Sequence, residues 1–417
     1  MSNSDSLFDL ELIAMANGGN AMGRHEGRAI FLPYAIPGER VSARIVEERG
    51  RVAFAEGVTL LESSLDRVYP ACPHFGPGRC GRCQWQHISY EAQLLLKQDV
   101  LADQLSRIGD FSDAAIEQVL LPMLASPAEW GYANHLTFTV TPDGLALPSL
   151  DKSTLAVIDE CHILHPDLLD LLRKVQFEDD TKIQRVKLAR GTGGDMMLIL
   201  SVLDTDDIPE MEMDFTASVN LLLPDNTPVN LIGDLALSIE SDGRQFRVTA
   251  GSSIRPHTDQ LSPLTAAVMH GLNLTGGEKV LDLFGGVGLF SAAVAQRGGR
   301  VTLVESYPTA CEDARHNLSG LSGVTVIEGT AEHVLSEGTV QFDRVIVDPP
   351  SEGLSLAVVD ALAQSKASRI VYVSSDAATL ARDAKRLTKH GFQLVSVQPI
   401  DLSPQTYYLD CVATLIR

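Results

Sequence analysis

Two groups of residues in this sequence have the types and spacing for chemistry. In the first, Val280-Leu-Asp-Leu-Phe-Gly-Gly-Val-Gly-Leu-Phe290 reads as an apolar strand ending at Asp282, a tight turn and the start of a helix over 289–296. Glycines such as Gly286 and Gly288 are needed where a backbone turns sharply and lets a ligand come close. The helix N-terminus beyond offers free N–H groups. Alone, this turn fits any nucleotide fold, or a plain strand–turn–helix. Its neighbours narrow the choice. Glu305 ends the next strand, where an acid accepts hydrogen bonds from ribose hydroxyls. Thr330 follows the third strand, where an adenine edge would lie. Asp348-Pro-Pro350 ends the fourth, and two prolines with fixed φ and no N–H make a stiff lip. The acid at this further strand end favours S-adenosylmethionine over NAD. A pyrophosphate calls for a complete G-x-G-x-x-G, which this turn does not supply.

The second group is Cys72-Pro-His-Phe-Gly-Pro-Gly-Arg-Cys80-Gly-Arg-Cys83. The short gap lets the thiolates of Cys80 and Cys83 point at one centre, and glycines and prolines let the loop wrap around it. A fourth ligand is needed, and Cys161 in Asp159-Glu-Cys-His-Ile163 is the obvious candidate. Four thiolates suit zinc or an iron–sulfur cluster, and spacing does not separate the two. His74, His87 and His162 are more simply read as outer or surface groups.

These residues need elements to position them. From about residue 265 the pattern runs strand, helix, strand, helix, with strands over 279–283, 301–305, 324–328, 344–348, 369–374 and 393–399. Helices over 308–318 and 377–390 are among those between them. That alternation predicts a parallel sheet with helices on both faces and ligands at the C-terminal strand ends. Upstream, apolar runs at 135–140, 197–202 and 219–223 predict a second, α+β domain. An amphipathic helix is expected over 91–108, with Leu94, Leu95, Leu101, Leu105 and Ile108 on one side. Residues 7–60 alternate short apolar runs with glycine and proline turns, which predicts a small closed β-barrel. Such a barrel serves equally as a structural domain or as an OB-like nucleic-acid module.

The chain has 417 residues, enough for two or three domains, and 45% of them are hydrophobic. No apolar run approaches the roughly 20 residues of a membrane span. The N-terminus has neither the basic region nor the apolar core of a secretory signal, so a cytoplasmic location is expected. In that reducing setting the six cysteines bind metal or stay free. A net charge of −21 argues against a generally sticky nucleic-acid binder but leaves room for a local basic surface. Much of the acid falls in 178–180 and 204–214, read as a solvated loop. Arg185, Lys187 and Arg190 nearby make a weak patch.

Over nearly its whole length the chain resembles the bacterial RNA (uracil-5-)-methyltransferase family that carries an N-terminal TRAM domain and a 4Fe-4S cluster and modifies 23S rRNA. Leu32-Pro-Tyr-Ala-Ile-Pro-Gly-Glu39 is similar to the TRAM signature. Cys72-Pro-His-Phe-Gly and Cys80-Gly-Arg-Cys-Gln-Trp-Gln-His87 resemble the cluster motif. Ile370-Val-Tyr-Val-Ser-Ser-Asp-Ala-Ala-Thr-Leu-Ala-Arg-Asp383 resembles the catalytic segment, and Ser403-Pro-Gln-Thr-Tyr-Tyr-Leu-Asp410 the last motif. The resemblance implies an RNA substrate (rRNA, with tRNA as the other choice), S-adenosylmethionine as donor, and a 4Fe-4S cluster on Cys72, Cys80, Cys83 and Cys161. In the family's chemistry a cysteine thiolate adds to C6 of uracil, C5 takes the methyl group, and a carboxylate removes the C5 proton.

The chain departs from the family at the acceptor. Ser375 stands where the nucleophilic cysteine is expected, and Asp410 where the glutamate base is. Tyr408 replaces a histidine, Ser351 the arginine after Asp-Pro-Pro, and Arg255 a glutamine that contacts the donor. Gly285 replaces a cysteine in the glycine turn, and Leu289 the asparagine after it. The donor side is expected on Arg255, Asp282, Phe284, Gly286, Gly288, Glu305, Thr330 and Asp348. Ser375 and Asp410 are expected as the catalytic pair. Cys311 and Cys411 are expected to be packed rather than reactive. The organisation expected is a multi-domain α/β chain: an OB-like TRAM barrel over 1–62, a central α+β domain with the cluster loop over 63–255, and a Rossmann-like class I methyltransferase domain over 256–417. A monomer with no membrane partner is expected. Three functions fit: uridine C5 methylation, methylation of another RNA atom without a covalent adduct, and non-catalytic RNA or iron–sulfur binding.

Overall fold

The structure, a computed structural model, describes residues 6–178, 181–204, 215–338 and 340–417. Strands β1 (Phe8–Met15), β2 (Ala21–His25), β3 (Arg28–Leu32), β4 (Arg40–Arg49) and β5 (Val52–Glu62) close into a barrel in the order β1-β2-β3-β5-β4. Strict alternation does this. Leu10 and Leu12 of β1 point inward while Asp9 and Glu11 face out, and β1 pairs with β4 to close the ring.

Helix α1 (Tyr90–Arg107) follows, then α2 (Asp113–Val119). The apolar stripe expected on α1 is only half right. Leu101 and Leu105 are buried, but Leu95 is 65% and Ile108 41% exposed. The buried face instead includes Gln93, Lys97 and Gln104. Two of these find partners in residues 401–405. Lys97 Nζ donates to Asp401 Oδ1 (2.7 Å) and to the Ser403 carbonyl (3.0 Å). Gln93 donates to Gln405 Oε1 (3.0 Å) and accepts from the Gln405 N–H (2.9 Å). Buried polar groups paired in this way are tolerated where unpaired ones are not. Ala92 and Val100 of α1 enter the barrel core, and Leu101 and Leu105 enter the core of the C-terminal layer. One helix thus joins the two.

The central sheet is built from β6 (His135–Thr141), β7 (Gly144–Pro148), β8 (Leu155–Val157), β9 (Ile183–Arg190), β10 (Met196–Val202), β11 (Ser218–Leu222) and β12 (Pro228–Ile232), with α3 (Pro166–Lys174) between β8 and β9. The order is β12-β11-β10-β9-β6-β7-β8. Leu168, Leu171 and Leu172 of α3 bury against a face carrying Phe138, Val186, Leu188, Leu198 and Leu200. Most of the acid-rich stretch 204–214 lies outside the described residues.

A hairpin of β13 (Ala236–Ser241) and β14 (Arg244–Thr249) packs Ile239, Phe246 and Val248 into the C-terminal layer. That layer runs α4 (Leu261–Leu272), β15 (Lys279–Leu283), α5 (Leu289–Gln296), β16 (Arg300–Glu305), α6 (Pro308–Asn317), β17 (Val324–Glu328), α7 (Ala331–Ser336), β18 (Arg344–Val347), α8 (Leu356–Gln364), β19 (Arg369–Ser374), α9 (Ala377–Lys389), β20 (Gln393–Ile400) and β21 (Asp410–Ile416). Its sheet order is β17-β16-β15-β18-β19-β21-β20. The inner strands are parallel and apolar on both faces, as a sheet covered on both sides requires. β21 runs antiparallel to β19, with Cys411 opposite Ser374. The start of β21 therefore meets the ends of the parallel strands, which brings Asp410 to Ser375. No helix among the described residues is long and apolar enough to cross a membrane.

Candidate functional site

The glycine turn is held from several sides. Phe284 leaves β15 with φ at 61°, a left-handed conformation uncommon for a non-glycine residue and worth about 1 kcal/mol of strain. A Cβ on Gly285 would lie 2.5 Å from Leu303, so close packing on β16 requires glycine there. Gly288, at φ 92°, caps α5. Glu305 binds the turn directly: Oε2 accepts from the Gly286 N–H (3.0 Å), and Oε1 accepts from the N–H groups of Ser306 (2.7 Å) and Tyr307 (2.8 Å).

Two residues expected on the donor hold helices in this structure. Asp282 is fully buried and accepts from Ser291 Oγ of α5 at 2.6 Å, while its Oδ1 has no partner. Burial pushes its pKa up to about 7, with the charges of Asp348 and Glu305 adding to the rise. Thr330 caps α7, its Oγ1 accepting from the His333 N–H (3.3 Å).

A cavity of about 440 Å³ opens beyond the ends of β18 and β19. Ser375, Asp376, Asp410, Arg255 and Ser351 line it from the C-terminal layer, Lys97 from α1, Arg82 from the cysteine loop and Asn17 from the barrel. Its volume is in the range of small-ligand sites. The β1–β2 turn reaches it because Gly19 lies where a Cβ would strike Tyr407, and because the Trp85 indole donates to the Gly19 carbonyl (3.0 Å). Tyr407 and Tyr408 form an aromatic wall, with ring centroids 4.5 Å apart. Asp376 is partly occupied as the cap of α9, accepting from the Thr379 N–H at 2.7 Å. Cys411 is fully buried in the layer's core, and Cys311 donates to the Glu305 carbonyl (3.2 Å). Neither lines the cavity.

Arg255 bridges the two carboxylates. Its terminal nitrogens donate to both oxygens of Asp348 (2.8 Å each), and Nε donates to Asp410 Oδ1 (3.3 Å). Burial works against the guanidinium's charge, but Asp348 and then Asp410 more than offset it. Burial pushes the pKa of Asp410 up, and Arg255 pulls it back. The position expected to contact a donor is thus an ion-pair bridge between Asp348, at the end of β18, and Asp410 in the cavity. A forked guanidinium suits two carboxylates in a way no other side chain does.

Cys72, Cys80, Cys83 and Cys161 line a second, small cavity of about 20 Å³, and all four are free thiols. Burial pushes the Cys161 thiol up to about 11 and the Cys83 thiol higher still. Among the described residues, no group of three or more His, Cys, Asp or Glu side chains is gathered as a single metal ion requires. The nearby histidines are engaged elsewhere: His74 with Asp159 (2.7 Å), His162 with Glu160 (2.5 Å) and His87 with the Ala35 carbonyl (3.5 Å). Arg82 borders both cavities, and its Nε is buried without a partner.

Asn17, Arg82, Lys97 and Tyr407 are cavity residues that the motifs did not mark, whereas Asp376 was expected near Ser375 from its place in the chain. Lys97 had a signal in the sequence, since Gln93 and Lys97 repeat at helical spacing on an otherwise apolar face. Arg82 and Asn17 had none, because only the fold brings their loops to the strand ends.

Two family matches fall on the chain. The TRAM domain family matches residues 12–58, and the family described as conserved hypothetical protein 95 matches residues 237–392. An uncharacterized RNA methyltransferase of Streptomyces avermitilis is 34% identical over 98% of both chains. One of Gloeobacter violaceus is 30% identical, over 97% of this chain and 95% of its own. The solved Pyrococcus abyssi tRNA (uracil-54, C5)-methyltransferase, in complex with S-adenosyl-L-homocysteine, superposes with a TM-score of 0.73 at 23% identity. It covers 98% of this chain and 100% of its own, and shows the same fold. With this extent of identity to its relatives, the chain belongs to the TRAM-bearing family of RNA methyltransferases.

Proposed function

We propose that the chain transfers the methyl group of S-adenosylmethionine to C5 of a uridine in RNA. The observation that carries this reading is the convergence of Ser375, Asp376, Arg255 and Asp410 on one cavity at the ends of the parallel strands. A uracil turned out of its strand would enter it against Tyr407 and Tyr408, since enzymes that act on a base extract it from its stack. Glu305, whose two oxygens keep lone pairs beyond the turn N–H groups they already accept, would hold the donor, which supplies an electrophilic methyl on a sulfonium. Ser375 Oγ adds to C6 of the base and its proton passes to Asp376. The electron pair moves onto the uracil carbonyl, where the charge of Arg255 favours it. C5 then takes the methyl group, Asp410 removes the C5 proton, and the C6–Oγ bond breaks as Ser375 recovers its proton from Asp376. Asp410 returns its proton to solvent.

The proposed target is 23S rRNA, on the resemblance of the motifs. Nucleoside mass spectrometry on rRNA and tRNA incubated with protein and donor tests it. New 5-methyluridine in large-subunit rRNA is the expected result, and methylated adenosine or cytidine alone would overturn the reading.

The second part of the proposal is a 4Fe-4S cluster on Cys72, Cys80, Cys83 and Cys161. The donor set fits: four thiols line one cavity, none is in a disulfide, and the neighbouring histidines are taken. The 72–83 loop takes left-handed backbone at Gly76 (φ 127°) and Gly78 (φ 69°), which lets it curve around the thiols. A bound cluster would supply a fixed centre of thiolate charge and no part of the methyl transfer.

A further inference from the structure

The central sheet has a second face that the proposed chemistry does not use. Opposite the α3 side, β6 presents His135, Thr137 and Thr139, and β9 presents Lys187 and Arg185 beside them in register. Thr137 and Arg185 are exposed, and His135, Thr139 and Lys187 are half-buried. The edge strand β8 extends this face with Leu155, 50% exposed, and Val157, 40% exposed. The register places no carboxylate among the residues that β6, β7, β8 and β9 turn to this side. Such a stretch is unexpected in a chain of net charge −21.

The cations here are also unspent. Among the described residues neither Lys187 nor Arg185 has an ion pair, whereas Arg190, the third cation of that stretch, is held by Asp167 at 2.7 Å. The face leads to the acceptor cavity. The N–H of Asn134, the residue before His135, donates to the Pro256 carbonyl (2.8 Å), and Pro256 lines the cavity together with Arg82, whose Nε is unpaired. Lys187 and His135 also border a cleft closed by Ile254, the residue before Arg255.

We propose that this face is the track on which the substrate RNA lies, with its phosphates on Arg185, Lys187 and Arg82 and a base against Leu155 and Val157. The proposal rests on the RNA-modifying reading above. Cations bind the phosphate backbone without regard to sequence, and apolar side chains accept unstacked bases, so the two together fit a single strand. A strand held there has its next nucleotide at the mouth of the cavity, where one base can turn in.

Binding of an unstructured, uridine-rich oligoribonucleotide by the full chain, followed by fluorescence anisotropy across a salt series, tests this. The double variant R185Q/K187Q should bind about tenfold more weakly, with a salt slope smaller by about 1.4, or about 0.7 for each lost phosphate contact. R185K/K187R should keep the slope, and K389Q, which removes a charge from α9, should behave as the unmodified chain. Matching thermal midpoints confirm that the variants fold. An unchanged slope and affinity in R185Q/K187Q, or no binding of the oligonucleotide by the unmodified chain, overturns the track. If the oligonucleotide binds as expected but no RNA accepts a methyl group, the proposed reaction fails and the track stands. If methylation proceeds and R185Q/K187Q binds normally, the track alone fails.

Discussion

Arg255 sets the charge of the acceptor cavity. It leaves Asp410 with one oxygen unbridged and takes both oxygens of Asp348. Removing it places two carboxylates side by side, which favours protonating one of them. R255Q should therefore lower methyl transfer at neutral pH by about tenfold and move the acid limb of the pH–rate profile upward, as steady-state rates across pH would show. The sign follows from Asp410 acting as a base: it works only when ionised, and losing Arg255 raises the pH at which it ionises. Ser375 gives a second prediction. Its hydroxyl is a weak nucleophile, whereas a thiol is a few per cent thiolate at pH 7, so S375C should react faster and S375A should lose transfer. A slower S375C would show that the site is tuned to the hydroxyl. Asp282 matters for stability. Its folded pKa near 7 lies above the ordinary carboxylate value, so its buried charge weakens the fold as pH rises from about 4 to 7. Urea melts of D282N should lack that loss. Asp348 can be picked out in the chain because it ends an expected strand, and Ser375 and Asp410 through the resemblance of their motifs. The bridge at Arg255 cannot, because its partners lie at the end of β18 and the start of β21, and only the sheet order brings them together.

At the scale of elements, α1 fixes the segment that carries Tyr407, Tyr408 and Asp410. Lys97 and Asp401 are both fully buried, and Tyr90 also donates to Asp401 (2.9 Å). Removing one partner of such a pair strands the other charge, so K97M should cost about 3–5 kcal/mol in urea unfolding. K97M/D401N should cost less than the sum of the two single changes, which a double-mutant cycle reads. Equal additivity would show that the pair is not coupled. The parallel strands were readable because each is an apolar run bounded by turns, and β15, β17 and β19 match the expected bounds. The buried face of α1 was not. Leucine spacing pointed to Leu95 and Ile108, but the partners of Gln93 and Lys97 lie some three hundred residues away, and those contacts decide which face turns inward.

At the scale of the whole molecule, barrel, cysteine loop, α1 and C-terminal layer each supply a wall of one cavity. That explains why the TRAM barrel is docked rather than tethered: Asn17, Gly19 and Trp85 place its tip against Tyr407. The expected barrel and α+β sheet are present, and the expected parallel sheet carries one further, antiparallel strand, β21, but their mutual placement has no local signal in sequence. The cysteine loop gives a prediction at this scale. Protein purified without oxygen should be brown from its iron–sulfur centre, and a colourless protein with stoichiometric zinc contradicts the cluster. The central claim is that a uridine enters the shared cavity and Ser375 adds to its C6. RNA carrying 5-fluorouridine tests it most directly, because fluorine in place of the C5 proton blocks the last elimination. The account predicts a protein–RNA complex that survives denaturation, needs the methyl donor, and is absent from S375A. Methyl transfer to ordinary RNA without any such complex would contradict it.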